Sequence, residues 1–104
     1  MDETQIRVSR PMLKVLKIMI ERPQTPYSGA EIGREVDLGS GTLYPLLQRL
    51  ENAGWLKSDW EDVNPSEAGR PRRRLYRLTG HGQTLAGRAL AEVQTAPGVL
   101  AWGS

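Results

Sequence analysis

A chain of 104 residues is normally a single domain. At this size folding buries roughly 65% of the unfolded chain's surface, which supports one modest core but not an enclosed catalytic cavity. Apolar residues make up 38% and charged residues 25%, so the sequence predicts a globular protein, and the absence of cysteine excludes disulfides and thiolate metal sites. The sequence has no apolar run near the ~20 residues of a membrane helix. The polar amino end lacks signal-peptide order, so the cytoplasm is the predicted location.

The formal net charge is only +2, and its distribution is more informative than its size. Arginines without an intervening acid occupy five positions: Arg70, Arg72, Arg73, Arg74 and Arg77. An acidic stretch precedes them: Asp59, Glu61, Asp62 and Glu67. A run of charges usually marks a solvated face, but the planar guanidinium of arginine also suits phosphates and groove edges. Both interpretations of the arginine run therefore stay open at this point.

The first predicted elements are a flexible arm over residues 1–9 and a helix that opens at Pro11, because proline is well suited to a first helical turn. Apolar side chains then recur at helical spacing: Leu13, Leu16 and Ile20. This pattern predicts a helix with one wide apolar face. Pro23 ends it, since the residue before a proline is disfavoured in a helix.

A second and a third helix are predicted next, separated by a short break at 38–40. Ser28 and Glu31 form a capping-box pattern, in which each side chain satisfies the other's backbone N–H, so the second helix starts there. The third helix has leucines at i, i+3, i+4 and i+7: Leu43, Leu46, Leu47 and Leu50. Gly54 is placed to end it. Two helices joined by a short glycine-containing turn are typical of a helix-turn-helix.

After the third helix the apolar period changes from helical to alternating. Residues 55–61 and 72–78 are predicted strands, and 64–69 is a loop by composition, so the pair forms a hairpin, or wing. Thr79 is placed to cap a final helix, which ends near 96–98 and leaves a tail to residue 104. The predicted fold class is mainly α with a small β-hairpin: a winged helix-turn-helix followed by one carboxyl-terminal helix.

Two segments resemble PadR-type transcriptional regulators. Residues 40–56, SGTLYPLLQRLENAGWL, are similar to the third helix of that family, and residues 69–79, GRPRRRLYRLT, are similar to its wing and the start of its fourth helix. The resemblance implies a winged-helix DNA-binding domain over 10–78, a homodimer held largely by a helix at 79–95, and repression from a palindromic operator. Since one helix follows the wing, the chain resembles a short form of the family.

The predicted recognition helix is the third, and its polar residues are candidate DNA contacts: Ser40, Gly41, Thr42, Tyr44, Gln48 and Arg49. The amino-terminal residues of such a helix meet base edges and phosphates first. Ser40 and Thr42 also fit plain N-caps. Tyr44 either donates its hydroxyl to a phosphate or packs half-buried against the first helix, and Arg49 could equally pair with a surface acid.

The wing and the last helix supply the remaining candidates. The wing arginines predicted to reach phosphates or the minor groove are Arg70, Arg72, Arg73 and Arg74. The predicted dimer interface is the apolar stripe of the last helix: Leu85, Ala86, Ala89, Leu90 and Val93. The resemblance also implies a small aromatic effector, although no residue identifies its pocket beyond a candidate role for Trp102. No metal, cofactor, membrane or catalytic residue is predicted.

Two other classes of function compete with DNA binding. A small hydrolase or nuclease would have to use the acids of residues 59–67, but no histidine, cysteine or glycine-rich phosphate loop completes a site around them. His81, the single histidine, has no carboxylate at recognisable spacing and is predicted to be a surface residue. The alternative function is a winged helix that binds proteins, for which a wing with fewer arginines would be expected.

Overall fold

The computed structural model describes residues 6–95, with side chains to Val93. Its helices are α1 Arg10–Glu21, α2 Gly29–Val36, α3 Ser40–Asn52, the one-turn α4 Pro65–Ala68, and α5 Gly80–Thr95. Its strands are β1 Tyr27–Ser28, β2 Leu56–Trp60 and β3 Arg74–Leu78, which form an antiparallel sheet in the order β1-β3-β2. The predicted winged-helix class is confirmed. None of the helices in residues 6–95 has the length and apolarity that crossing a bilayer requires.

Local hydrogen bonds set the starts of the first two helices. The Ser9 hydroxyl accepts the Met12 N–H at 3.4 Å. At α2, the Ser28 hydroxyl accepts the Glu31 N–H at 3.1 Å and the Glu31 carboxylate accepts the Ser28 N–H at 3.0 Å, which is the predicted capping box. These bonds lower the pKa of the Glu31 carboxyl. Asp37 ends α2 in the left-handed region, at φ 55°, and so turns the chain directly into α3.

The core lies between α1, α2, α3 and one face of the sheet. Its largest fully buried side chains are Met12, Val15, Leu16, Met19, Ile32, Leu43, Leu47 and Leu50. Ile6 and Val8 pack against this core, so residues 6–9 of the predicted arm belong to the packed fold. The rest of that arm, residues 1–5, and the tail 96–104 with Trp102 lie outside the described residues.

The sheet corrects the prediction of a two-stranded hairpin. β1 pairs with β3 through Tyr27↔Tyr76 and Ser28↔Leu75. Two residues are too few to show an alternating pattern, and Ser28 is also the N-cap of α2, which hides the strand in the sequence. β3 starts at Arg74, not at residue 72, because the wing loop is longer than predicted.

The wing loop contains the short helix α4, where the composition predicted only irregular structure. The Asn64 side chain caps it by accepting the Ser66 N–H at 2.9 Å, and Pro65 occupies its first turn. Gly69 ends it at φ 71°, a backbone conformation in which a side chain is strained. The loop therefore folds back on itself before it enters β3.

Thr79 joins α5 to the end of α3, as predicted for its cap. Its hydroxyl accepts the Gly82 N–H at 2.8 Å and donates to the Gly54 carbonyl at 2.6 Å, while its own N–H donates to the Trp55 carbonyl at 3.0 Å. Gly82 lies against the backbone of Trp55 with no room for a side chain. The amino end of α5 is therefore anchored to the backbone of residues 54–55.

One residue of the predicted dimer interface is corrected by the packing of α5. Ala86 is 0% exposed and belongs to the core of its own protomer, because α5 lies along α1. It cannot contact a partner. The other four predicted interface residues keep partly exposed side chains: Leu85, Ala89, Leu90 and Val93.

Candidate nucleic-acid interface

The two faces of α3 divide core from solvent as its sequence predicts. Its leucines, Leu43, Leu46, Leu47 and Leu50, are at most 6% exposed. The polar candidates all lie on the exposed side: Ser40, Gly41, Thr42, Tyr44, Gln48 and Arg49. Gly39, not Ser40 or Thr42, is the N-cap, and it provides no side-chain cap. The first N–H groups of α3 therefore have no side-chain acceptor within the protein.

Tyr44 packs against α2, not against α1 as one interpretation of the sequence had it. Its side chain is 46% exposed. The ring lies over Gly29, the first residue of α2, so closely that a Cβ there would be 2.6 Å from the Tyr44 hydroxyl oxygen. Gly29 thus allows the phenol to lie at the amino end of α2 while half of the side chain stays in solvent.

The carboxyl-terminal half of α3 presents an amide and a cation. The Gln48 Nε2 donates to Asn52 Oδ1 at 2.9 Å, which orients the amide along the exposed side of the helix. Arg49 is exposed, and its guanidinium makes no hydrogen bond or ion pair with residues 6–95. The predicted alternative of a surface ion pair for Arg49 is therefore not seen in that part of the chain.

Arg70 holds the wing loop closed. Its guanidinium donates to both oxygens of the Glu61 carboxylate, at 2.7 and 3.1 Å. The Arg73 N–H donates to the same carboxylate at 3.3 Å. The bonds from Arg70 lower the pKa of the Glu61 carboxyl and raise the pKa of Arg70. A bidentate pair uses the fork that a phosphate would need, so the structure gives Arg70 a positioning role in place of the predicted phosphate contact.

Arg74 connects the wing to α3. Its Nε donates to the Ser58 Oγ at 2.9 Å, and the Ser58 hydroxyl donates to the Glu51 carboxylate at 2.6 Å. An Arg74 terminal nitrogen lies 3.8 Å from the same Glu51 oxygen. The guanidinium also lies over the Trp60 ring, 5.2 Å from its centroid. The predicted phosphate contact at Arg74 is thus replaced by a network within the protein.

The Arg74 network also affects a buried neighbour. Tyr76 lies on the same face of β3, and burial, with the Glu51 charge adding to it, raises the pKa of the Tyr76 phenol. Its hydroxyl therefore stays protonated through the physiological range.

Arg72 and Arg73 are the wing cations that remain directed at solvent. The Arg72 Nε donates to the Val63 carbonyl at 2.9 Å, which leaves its two terminal nitrogens without a printed partner and fixes its stem. The Arg73 guanidinium makes no hydrogen bond or ion pair within the described residues. Of the four predicted wing contacts, these two have a geometry suited to an external anion.

Three residues of this surface were missed in the sequence: Gly29, Glu51 and Trp60. Trp60 and Arg74 are direct partners across the hairpin, and the alternating pattern already places each of them on the face shared with Ser58 and Tyr76. Their contact could have been predicted once the strand register was known. Among residues 6–95, no group of three or more histidine, cysteine, aspartate or glutamate side chains could hold a metal ion.

The fold is similar to solved bacterial regulators. AbfR of Staphylococcus epidermidis matches with a TM-score of 0.64 and 29% identity, over 84% of this chain and 54% of that one. Reduced AbfR bound to DNA matches with a TM-score of 0.68 and 25% identity, over 91% and 64%. PcaV of Streptomyces coelicolor, in complex with its natural ligand, matches with 0.63 and 25%, over 77% and 51%. The chain thus spans between about half and two thirds of the length of these proteins.

The sequence itself matches one family model. Residues 15–88 match the transcriptional regulator PadR-like family, a range that includes α1 from Val15, the helix-turn-helix, the whole wing and the first half of α5. No curated protein matches the chain.

Proposed function

The chain belongs to the PadR-like family of transcriptional regulators, and we propose that it represses transcription as a cytoplasmic homodimer bound to an inverted-repeat operator. One observation carries this proposal: the exposed side of α3, with an amino end that no side chain caps, lies in the same domain as two wing arginines, Arg72 and Arg73, that no carboxylate neutralises. DNA bound to a relative of similar fold supports it. Selection from a library of randomised duplexes tests it, and failure to enrich any sequence would refute it.

The two parts of the surface would have different tasks. Contacts to phosphate fix position and supply affinity, whereas contacts to base edges select sequence. The N–H groups at the start of α3 and the guanidinium of Arg49 suit phosphates. Thr42 and Gln48, on the exposed side of the same helix, offer a hydroxyl, a methyl and an amide to the edges of bases in the major groove. The wing would then lie over the flanking backbone or minor groove.

Sequence discrimination is therefore expected to depend on Thr42 and Gln48. Replacement of either by alanine should narrow the difference in affinity between operator variants by about 1–3 kcal/mol if a base contact is lost. Binding to unrelated duplexes should change little, because phosphate contacts remain. Titration of a panel of single-base operator variants with each protein measures this. An unchanged ranking of the variants for both proteins would show that neither side chain contacts a base.

The place of the Tyr44 hydroxyl gives a second expectation. Tyr44→Phe removes the hydroxyl, and Gly29→Ala displaces it because the new Cβ would overlap the ring. Both variants should bind all duplexes roughly tenfold more weakly, since a hydrogen bond to a charged group is lost, and both should keep the wild-type sequence preference. Gly80→Ala is the control, because a Cβ at Gly80 meets nothing within 4 Å. Wild-type affinity for Tyr44→Phe would exclude a phosphate contact.

A two-fold dimer is expected to form through α5, supported by α1. Gly80, Gly82 and Gly87 weaken α5 intrinsically, and its partly exposed apolar residues need burial that the protomer does not complete. Sedimentation equilibrium at micromolar concentration should therefore give twice the 11.6 kDa of the chain. A single species of 11.6 kDa would contradict the dimer and, with it, the inverted repeat.

Two further expectations belong to this proposal. A wing used for protein binding is the alternative function, and the unneutralised pair Arg72 and Arg73 favours DNA over it. A small aromatic effector remains a prediction, for which the natural ligand of PcaV is a precedent in a protein of similar fold. A thermal-shift screen of phenolic and planar aromatic compounds tests it, and no shift with any compound would count against it.

A further inference from the structure

The tip of the wing carries an apolar surface that the recognition helix and the arginines do not account for. Trp60, at the end of β2, is 60% exposed, more than the other exposed large hydrophobic side chain of the described residues, Tyr44. With Pro65, Pro71 and Arg72 it lines a shallow concave surface, here called the wing-tip patch. An exposed tryptophan beside two exposed prolines commonly marks a contact surface.

The Trp60 ring is held in place relative to α3. Arg74 lies over the ring and is itself bonded to Ser58, which donates to the Glu51 carboxylate of α3. A chain of contacts therefore connects the recognition helix to the wing-tip patch without a flexible step. Fixing an aromatic side chain in solvent before binding lowers the entropy that a ligand must overcome.

The chemistry of the wing-tip patch favours a polyanion with apolar faces. Arg72 is its one charged lining residue among those described, and the Arg72 stem is fixed by the bond to the Val63 carbonyl. The nearest carboxylate on the loop, Glu61, is neutralised by Arg70. The sugar–phosphate backbone of DNA offers apolar deoxyribose faces and a phosphate in close sequence, which match a tryptophan, two prolines and one guanidinium.

We propose that the wing-tip patch binds the sugar–phosphate backbone of duplex DNA outside the half-site contacted by α3. The Trp60 ring and the prolines contact deoxyribose, and the terminal nitrogens of Arg72 bind the adjacent phosphate. This inference rests on the proposed function and adds to it an aromatic contact that extends the site beyond the bases that α3 can reach.

Two duplexes that differ only in their flanks test the proposal. Both carry the sequence selected from the randomised library; one ends at the half-sites, and the other extends about one helical turn beyond each. Trp60→Ala should bind the long duplex about tenfold more weakly than the wild type does, a loss comparable to removal of one aromatic stacking contact. It should bind the short duplex with wild-type affinity. Trp60→Phe should keep most of the affinity for the long duplex.

The same pair of duplexes separates a contact from an effect on the fold. Equal loss on the long and short duplexes would mean that Trp60 acts by supporting the wing, and no loss on either would leave the patch to a protein partner; both outcomes overturn the proposal. Loss with Arg72→Ala/Arg73→Ala but none with Trp60→Ala would overturn this inference and leave the proposed function intact. A wild type that prefers neither duplex to a scrambled one would overturn both.

A fluorescence measurement gives an independent test. The long duplex should reduce acrylamide quenching of the emission that the wild type has and Trp60→Phe lacks, because bound backbone shields the ring. Trp55 is 4% exposed and contributes little to that difference. Unchanged quenching on a saturated long duplex would overturn the proposal.

Discussion

Replacement of Arg72 and Arg73 together by alanine should weaken binding to every duplex by roughly sixtyfold at 0.1 M salt. Each arginine that neutralises a phosphate releases counterions and adds about 0.9 to the slope of log K against log salt, so two contribute about 1.8. Both guanidinium groups are free of carboxylates in the described structure, which is why these two and not Arg70 or Arg74 are chosen. The ratio of operator to scrambled affinity should stay near its wild-type value, since phosphates carry no sequence information.

Affinity measured over a salt series with both duplexes checks this expectation. Lys57→Ala/Arg77→Ala is the matched control, because it removes the same charge from a directly opposed pair at the base of the hairpin, away from the wing tip. The control should keep a slope close to that of the wild type. If the Arg72 and Arg73 variant shows an unchanged slope and affinity, these arginines are solvated surface residues and the wing does not bind DNA.

Gly82→Ala is expected to destabilise the fold by about 1–3 kcal/mol, the usual cost of forcing atoms into a packed site. A Cβ at Gly82 would overlap the Trp55 carbonyl oxygen, which also accepts the Thr79 N–H at 3.0 Å. Backbone cannot rotate away as a side chain can, so α5 must shift along α1. For a domain of about 100 residues, each kcal/mol lowers Tm by roughly 4–8 °C.

Thermal unfolding followed by circular dichroism measures this loss. Gly80→Ala, two residues earlier in the same helix, is the control: its Cβ meets no atom within 4 Å, and alanine favours helix, so its Tm should be equal or slightly higher. Equal melting of the two variants would show that the start of α5 does not lie against the backbone of Trp55.

Much of the fold could be predicted because it depends on local patterns. The leucine spacing of α3 and the capping box at Ser28 each act within one or two helical turns, and both were confirmed. β1 was not predictable, since its two residues are held only by the distant strand β3. Periodicity likewise identified the apolar stripe of α5 but not its neighbour, and so it could not show that Ala86 faces α1 of its own protomer.

The roles of the wing arginines could not be separated in the sequence for a similar reason. Arg70 pairs with Glu61 and Arg74 with Glu51, at separations of nine and 23 residues that the hairpin and the end of α3 determine. Composition shows four cations in a row, and only the strand register shows which carboxylates they meet. The residues left over, Arg72 and Arg73, are those for which the original prediction of phosphate binding still holds as a proposal.

The account depends most directly on sequence-specific binding of duplex DNA. The decisive measurement is the equilibrium affinity of the wild type for the selected duplex and for a scrambled duplex of the same composition, at a physiological salt concentration. We expect the selected sequence to be an inverted repeat with half-sites about 34–36 Å apart, bound at least about 10³-fold more tightly than the scrambled one. Equal affinity for the two duplexes would contradict the account.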